Sequence, residues 1–156
     1  MTQHSVTHAT FTIVRHYDAS PDRVFAAWAQ KDRKARWYAS HAGRRSQDFT
    51  LDFRIGGREH LSIAGPDGVV HTFDGQYQDI VPNERIIYSY DMHLDRTRIS
   101  VSLTTVELKA DGTGTKLIFT EQDAFLDGHD TASQRETGTR SLLDSLAAFL
   151  ATGDPD

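Results

Sequence analysis

Residues Val69–Met92 read VVHTFDGQYQDIVPNERIIYSYDM. β-Branched and aromatic residues recur on both sides of Pro82-Asn83-Glu84, a turn signal. Val69–Val81 is therefore a predicted strand that the turn closes, and Arg85–Met92 is a second, with Ile86, Tyr88, Tyr90 and Met92 on one face. So short a connection makes the two strands antiparallel neighbours, because a parallel crossover needs a dozen residues or more. Working outward, Arg98–Leu108 continues the pattern, with Ile99, Val101, Leu103 and Thr105 together on one alternating face. Asp111-Gly112-Thr113-Gly114 turns the chain into Thr115–Gln122, which aligns Leu117, Phe119 and Glu121. Upstream, Phe49–Phe53 and Arg58–Ile63 are strands, Gly65-Pro66-Asp67-Gly68 is a hairpin loop, and Gly56-Gly57 reads as a bulge that bends the sheet. Consecutive strands with short links form an antiparallel meander.

Helices flank this run. Thr10–Asp18 is a first strand with Phe11, Ile13, Arg15 and Tyr17 on one face. Ser20-Pro21-Asp22 then marks a helix start: an N-cap, a proline at the first helical position and an acid at the positive dipole end. Val24, Phe25, Ala27 and Trp28 form that helix's buried stripe, and a second short helix runs Lys31–Tyr38. Asp130–Ala151 is a long helix, with Asp130 or Thr131 as its cap. Its second half carries Leu142, Leu143, Leu146, Ala147, Phe149 and Leu150, while Ser133–Ser141 is polar or small. Only one half is built to seal a dry core. The expected class is α+β, with about six to seven strands curved around the final helix.

The 156 residues carry 38% hydrophobic and 25% charged side chains, with eight Phe, five Tyr and two Trp, which is a globular balance for one domain. The absence of cysteine removes disulfides, thiolate nucleophiles and Cys-type zinc sites. Seventeen basic against 22 acidic residues give a net charge of −5. The cluster Lys31, Arg33, Lys34, Arg36, Arg44 and Arg45 is outweighed, so nucleic acid is not an expected partner. No apolar run reaches the ~18 residues of a membrane span, and no signal peptide pattern opens the chain. The expected setting is cytoplasmic.

Several motifs together resemble the activator of heat-shock-protein-90 ATPase homologue-like family. They are Arg15-x-Tyr17-x-Ala19-x-Pro21, Val24-Phe25-x-Ala27-Trp28, Trp37, Phe53-Arg54-Ile55-Gly56-Gly57, Gly75-x-Tyr77-x-x-Ile80-x-Pro82-x-Glu84-Arg85-Ile86, Gly114-Thr115-Lys116-Leu117 and Leu142–Ala147. The resemblance implies a helix-grip fold of the START-like and polyketide-cyclase superfamily over residues 10–151, with 1–9 and 152–156 as tails. In that family a tryptophan often follows the helix glycine, whereas Thr139 follows Gly138 here, which implies a more open or more polar upper pocket. The resemblance also implies three functions. One is a carrier, sensor or sequestration role toward a small apolar or aromatic molecule. Another is a cyclase- or hydrolase-like enzyme in the same cavity. The third is a co-chaperone-like modulator of a chaperone partner in a stress response, less expected because that co-chaperone carries an additional amino-terminal domain. Homodimers also fit the family.

A sheet wrapped on a helix either fills its interior or leaves a cavity. The candidate lining is Trp37, Phe53, Glu59, Phe73, Tyr77, Tyr88, Tyr90, Val101, Leu103, Phe119, Phe125, Leu142 and Leu146. The competing account is that these residues are simply core, although buried tyrosine hydroxyls need partners. Arg15 and Arg54 fall on apolar registers and would pair with Glu59 or Glu121, or else hold a ligand carboxylate or phosphate. Glu59, His71 and Glu121 are conceivable acid–base groups. Asp123, Asp127, His129 and Asp130 read as an acidic loop without calcium spacing. The eight histidines read as exposed polar residues, so neither a metal nor a cofactor is expected.

Overall fold

The computed structural model describes residues 3–39 and 46–152. Arg44 and Arg45 of the basic cluster lie outside the described residues. The elements are β1 (Val6–Tyr17), α1 (Pro21–Ala29), α2 (Lys31–Trp37), β2 (Ser46–Leu51), β3 (Arg58–Ala64), β4 (Val70–Val81), β5 (Arg85–Leu94), β6 (Thr97–Asp111), β7 (Gly114–Leu126) and α3 (Ala132–Ala151). All seven strands form one antiparallel sheet in the order β1-β7-β6-β5-β4-β3-β2. The meander is thus observed, with β1 returning to pair with β7. No described helix is long and apolar enough to cross a membrane.

The local signals act as the chain's punctuation. Ser20 sits at the N-cap of α1, but its hydroxyl bonds Asp22 Oδ1 at 2.5 Å rather than a backbone N–H. Thr131 caps α3 by accepting from the Gln134 N–H at 3.1 Å. Asn83 takes φ +65° in the β4–β5 turn, a left-handed geometry that asparagine tolerates. Gly56-Gly57 corrects the bulge reading, because the pair belongs to the turn between β2 and β3. A Cβ on Gly57 would stand 2.1 Å from the Asp52 carbonyl oxygen, so only glycine fits.

The core lies between the concave sheet face and the three helices. Trp28 and Trp37 pack edge to face with ring centroids 4.9 Å apart, and the Trp37 indole donates to the Ala27 carbonyl at 2.9 Å. Leu143 and Leu146 of α3 are fully buried, each stabilising the fold by roughly 1.5–3 kcal/mol. The Tyr17 hydroxyl ties β1 to the Leu143 carbonyl at 3.0 Å.

β6 departs from the expected alternation. Ile99 and Ser100 are both buried, and the β5–β6 register passes from Met92↔Ser100 to His93↔Arg98, leaving Ile99 as the extra residue of a bulge. Beyond it the phase is inverted. Ser100, Ser102, Thr104, Val106 and Leu108 face inward, and Val101 and Leu103, expected inside, are each 38% exposed on the outer face.

Candidate functional site

The interior holds two buried ion clusters with a cavity bordering the second. Lys34 of α2 and Glu59 of β3 are each 2% exposed. The Lys34 ammonium donates to Glu59 Oε1 at 2.7 Å, and the Tyr77 hydroxyl donates to the same oxygen. The ammonium lies 4.5 Å from the Tyr38 ring centre, 5.3 Å from Trp28 and 5.9 Å from Tyr88. Burial pulls the Lys34 ammonium below its ordinary value, while Glu59 acts against that shift. Glu59 Oε2 is buried without a hydrogen-bond partner.

The second cluster centres on Arg135 of α3, in the polar half of that helix. Its Nη1 donates to the Tyr90 hydroxyl at 2.8 Å, and its Nη2 to Ser100 Oγ at 2.7 Å and Asp130 Oδ2 at 3.0 Å. Glu121 Oε2 and Asp123 Oδ1 of β7 stand 3.5 Å from the guanidinium. Glu121 Oε1 accepts from Tyr90 at 2.9 Å and Thr104 at 3.0 Å, and Ser102 donates to Asp123 Oδ1 at 2.5 Å. The inverted phase of β6 is what brings the hydroxyls of Ser102 and Thr104 to the acids. Burial, followed by the bond shared with Asp123, pushes the Glu121 carboxyl up to about 8. Burial also raises Tyr88 and Tyr90 well above the ordinary phenol value, with Glu121 adding to the rise, so both remain proton donors.

A cavity of about 620 Å³ opens between β3–β6, the middle of β7 and the first half of α3. This lies within the range that small-ligand pockets occupy, roughly 300–1,000 Å³. Leu61, Ile63, Phe73, Met92, Ile99, Phe119 and Leu142 make it largely apolar. Tyr38, Tyr88, Tyr90, Thr139, Glu121 and Arg135 supply polar groups, and His129, Gln134 and Gly138 form an exposed rim.

Of the expected lining, Phe73, Tyr88, Tyr90, Phe119 and Leu142 stand on the cavity wall. Trp37 and Leu146 are buried in the core away from it. Phe53 packs on Phe25 and Tyr77, with centroids 5.6 and 4.8 Å apart, Glu59 and Tyr77 belong to the Lys34 cluster, and Phe125 lies 5.3 Å from the Arg135 guanidinium. Val101 and Leu103 are outside altogether. Glu121 and His71 face the cavity as acid–base candidates, whereas Glu59 does not.

The arginine pairings also differ from expectation. Arg15 bonds Asp144 on α3, and Arg54 bonds Asp52 at 2.9 Å on the surface. The cations that meet Glu59 and Glu121 are Lys34, expected only as part of the basic cluster, and Arg135, from the polar half of the last helix. Asp123 is a buried residue of β7, and not part of an acidic loop. Thr139, 8% exposed, lines the cavity where the resemblance implies an open or polar position. Among the described residues no group of three His, Asp or Glu is placed to hold a metal ion.

No functionally curated protein matches this chain. A solved structure of an uncharacterised Rhizobium leguminosarum protein is 48% identical, covering 97% of this chain and 99% of its own, with a TM-score of 0.94. The Mll3558 protein of Rhizobium loti is 50% identical over 93% of this chain and 99% of its own, with a TM-score of 0.86. The AHSA1-like protein of Aeromonas hydrophila shares the fold at 22% identity, covering 93% of this chain and 94% of its own, with a TM-score of 0.69. The family described as Activator of Hsp90 ATPase homolog 1-like protein matches residues 18–151, from the end of β1 to the last turn of α3. The chain, with its helix-grip sheet and long terminal helix, belongs to that family.

Proposed function

We propose that the protein binds a small, largely apolar or aromatic molecule in the cavity between the sheet and α3, as a carrier, sensor or sequestering protein. The observation that carries this reading is a cavity of ligand size with an apolar wall and one polar corner, Tyr90–Glu121–Arg135. Such a corner orients a ligand, whereas the surrounding rings supply the burial that drives binding. The test is a titration with 2-naphthylmethanol, a neutral probe, against the wild-type chain and a Thr139→Trp variant that fills the cavity beside Leu142. Saturable one-to-one binding that the variant abolishes, with its circular dichroism unchanged, is the expected result. Binding that is unsaturable, or equal in the two proteins, would sink the reading.

A second reading is favoured by one specific observation. Glu121 faces the cavity with its proton held to about 8 and a tyrosine donor at 2.9 Å, the arrangement of a general acid–base pair near neutral pH. It fits a cyclase- or hydrolase-like activity at the same place. A bound probe recovered chemically unchanged after long incubation, across a panel of enolisable aromatic ketones and esters, would count against it.

A further inference from the structure

We propose that the cavity selects a small apolar molecule bearing one ammonium group over the same molecule bearing a carboxylate. This rests on the ligand-binding reading and specifies the chemistry of its ligand. Arg135 is the cation on the cavity wall among the described residues that an acid would seek, and its guanidinium is already committed. Tyr90, Ser100 and Asp130 take its terminal nitrogens at 2.7–3.0 Å. Against that one positive charge stand the carboxylates of Asp130 at the rim and Asp123 beside the guanidinium, with the Glu121 carboxyl, a third acid, on the wall. Asp123 Oδ2 is buried with no donor from the chain placed against it, and the cation that reaches Asp123 stands 3.5 Å from its other oxygen. A carboxylate entering here meets surplus acid and a guanidinium whose terminal N–H donors are already taken. An ammonium brings the missing positive charge.

The rings point the same way. Phe73 and Tyr90 stack with centroids 4.6 Å apart, and Tyr88 and Tyr38 stand within 6.0 Å of Phe73, so four aromatic side chains share one wall. Ring faces attract cations, most strongly where water is excluded. Behind the same wall the protein already holds an ammonium of its own, Lys34, at 4.5 Å from Tyr38 and 5.9 Å from Tyr88. Among the described residues, the imidazoles of His71 on β4 and His129 at the rim complete the titratable groups that face the cavity.

The experiment is isothermal titration of the whole chain with three probes on one ring system: 2-naphthylmethylammonium, 2-naphthylmethanol and 2-naphthoate. The expected order of affinity is ammonium, alcohol, carboxylate, with roughly tenfold or more between the ends. Glu121→Gln should reduce the ammonium's advantage over the alcohol near pH 9, where the native carboxyl has given up its proton. Asp130→Asn, part-buried at the rim and bonded to Arg135, repeats that test near pH 7 if the first variant folds poorly. Naphthoate binding as tightly as the ammonium, with the alcohol also bound, would overturn the charge preference and leave the cavity reading intact. Failure of all three, the neutral alcohol included, would overturn the cavity reading itself.

Discussion

Glu121→Gln separates the charge of the buried acid from its shape, because glutamine is nearly isosteric with the protonated carboxyl. In the native protein the carboxyl is 1% exposed and holds its proton to about 8, chiefly through burial and then through the bond shared with Asp123. In the unfolded chain it ionises near the ordinary value of 4.5. Between those two values the folded state binds more protons than the unfolded state. This contribution to stability is therefore complete below pH 4.5 and is lost as the pH rises through 8. At about 1.4 kcal/mol per pH unit, the gap corresponds to a loss of roughly 4–5 kcal/mol. Glutamine does not titrate, so the variant escapes the loss. The other groups that face Glu121 are Asp123 on its own strand, Tyr90 on β5, Thr104 on β6 and Arg135 on α3, and they remain in both proteins.

Urea unfolding of the two proteins side by side from pH 5 to 9 measures the difference directly. Near pH 5 they should lie within about 1 kcal/mol of each other, since the carbonyl of glutamine still accepts from Tyr90 and Thr104. By pH 8 the variant should be the more stable protein by as much as roughly 4 kcal/mol. At an m value near 2 kcal/mol/M this moves the midpoint by about 2 M urea. A stability difference that stays flat across this window would refute the account of Glu121 as a buried acid that keeps its proton.

Arg135→Met leaves Glu121 and Asp123 without their cation and should destabilise the fold by about 3–5 kcal/mol in chemical denaturation, with the deficit greater at pH 8 than at pH 5. Lys34→Met should cost about as much, whereas the double variant Lys34→Met/Glu59→Leu should recover at least roughly half, a coupling that a double-mutant cycle reads. Gly138 is an exposed helix residue with open space around its Cβ position, so Gly138→Ala should stabilise by about 0.5–1 kcal/mol and raise the Tm by about 1–4 °C.

The fold was legible because its boundaries are written in residues with few alternatives. Pro82-Asn83-Glu84, Asp111-Gly112-Thr113-Gly114 and Ser20-Pro21 each admit little besides a turn or a helix start, and each stands where the structure turns or starts a helix. The site was less legible because it depends on phase and on pairing across the chain. Strict alternation from Ile99 sends Val101 and Leu103 inward, but Val106 and Leu108 in the same strand occupy the opposite register. Both sets cannot face one core, and the bulge at Ile99 decides between them: Ile99 stays buried, while from Ser100 onward the register of Val106 and Leu108 faces inward and Val101 and Leu103 face out.

Pairing follows from the same logic, taken from strand to helix. Glu59 alternates with Leu61 and Ile63, and Glu121 with Leu117 and Phe119, so each acid stands on an apolar register where an unpaired charge costs several kcal/mol. Such acids demand partners, and the arginines chosen from the strands and their turns, Arg15 and Arg54, find carboxylates elsewhere. The helices hold the bases that answer. Lys34 precedes Trp37 by three residues, which puts it on the buried face of α2, and Arg135 precedes Thr139, Leu142 and Leu146 by the i+4, i+7 and i+11 steps of one stripe. A basic residue on the apolar stripe of a helix, opposite an acid on the apolar register of a strand, therefore identifies a buried pair before any coordinates are known. What sequence spacing does not contain is the curvature that leaves a cavity beside one pair and packs the other shut.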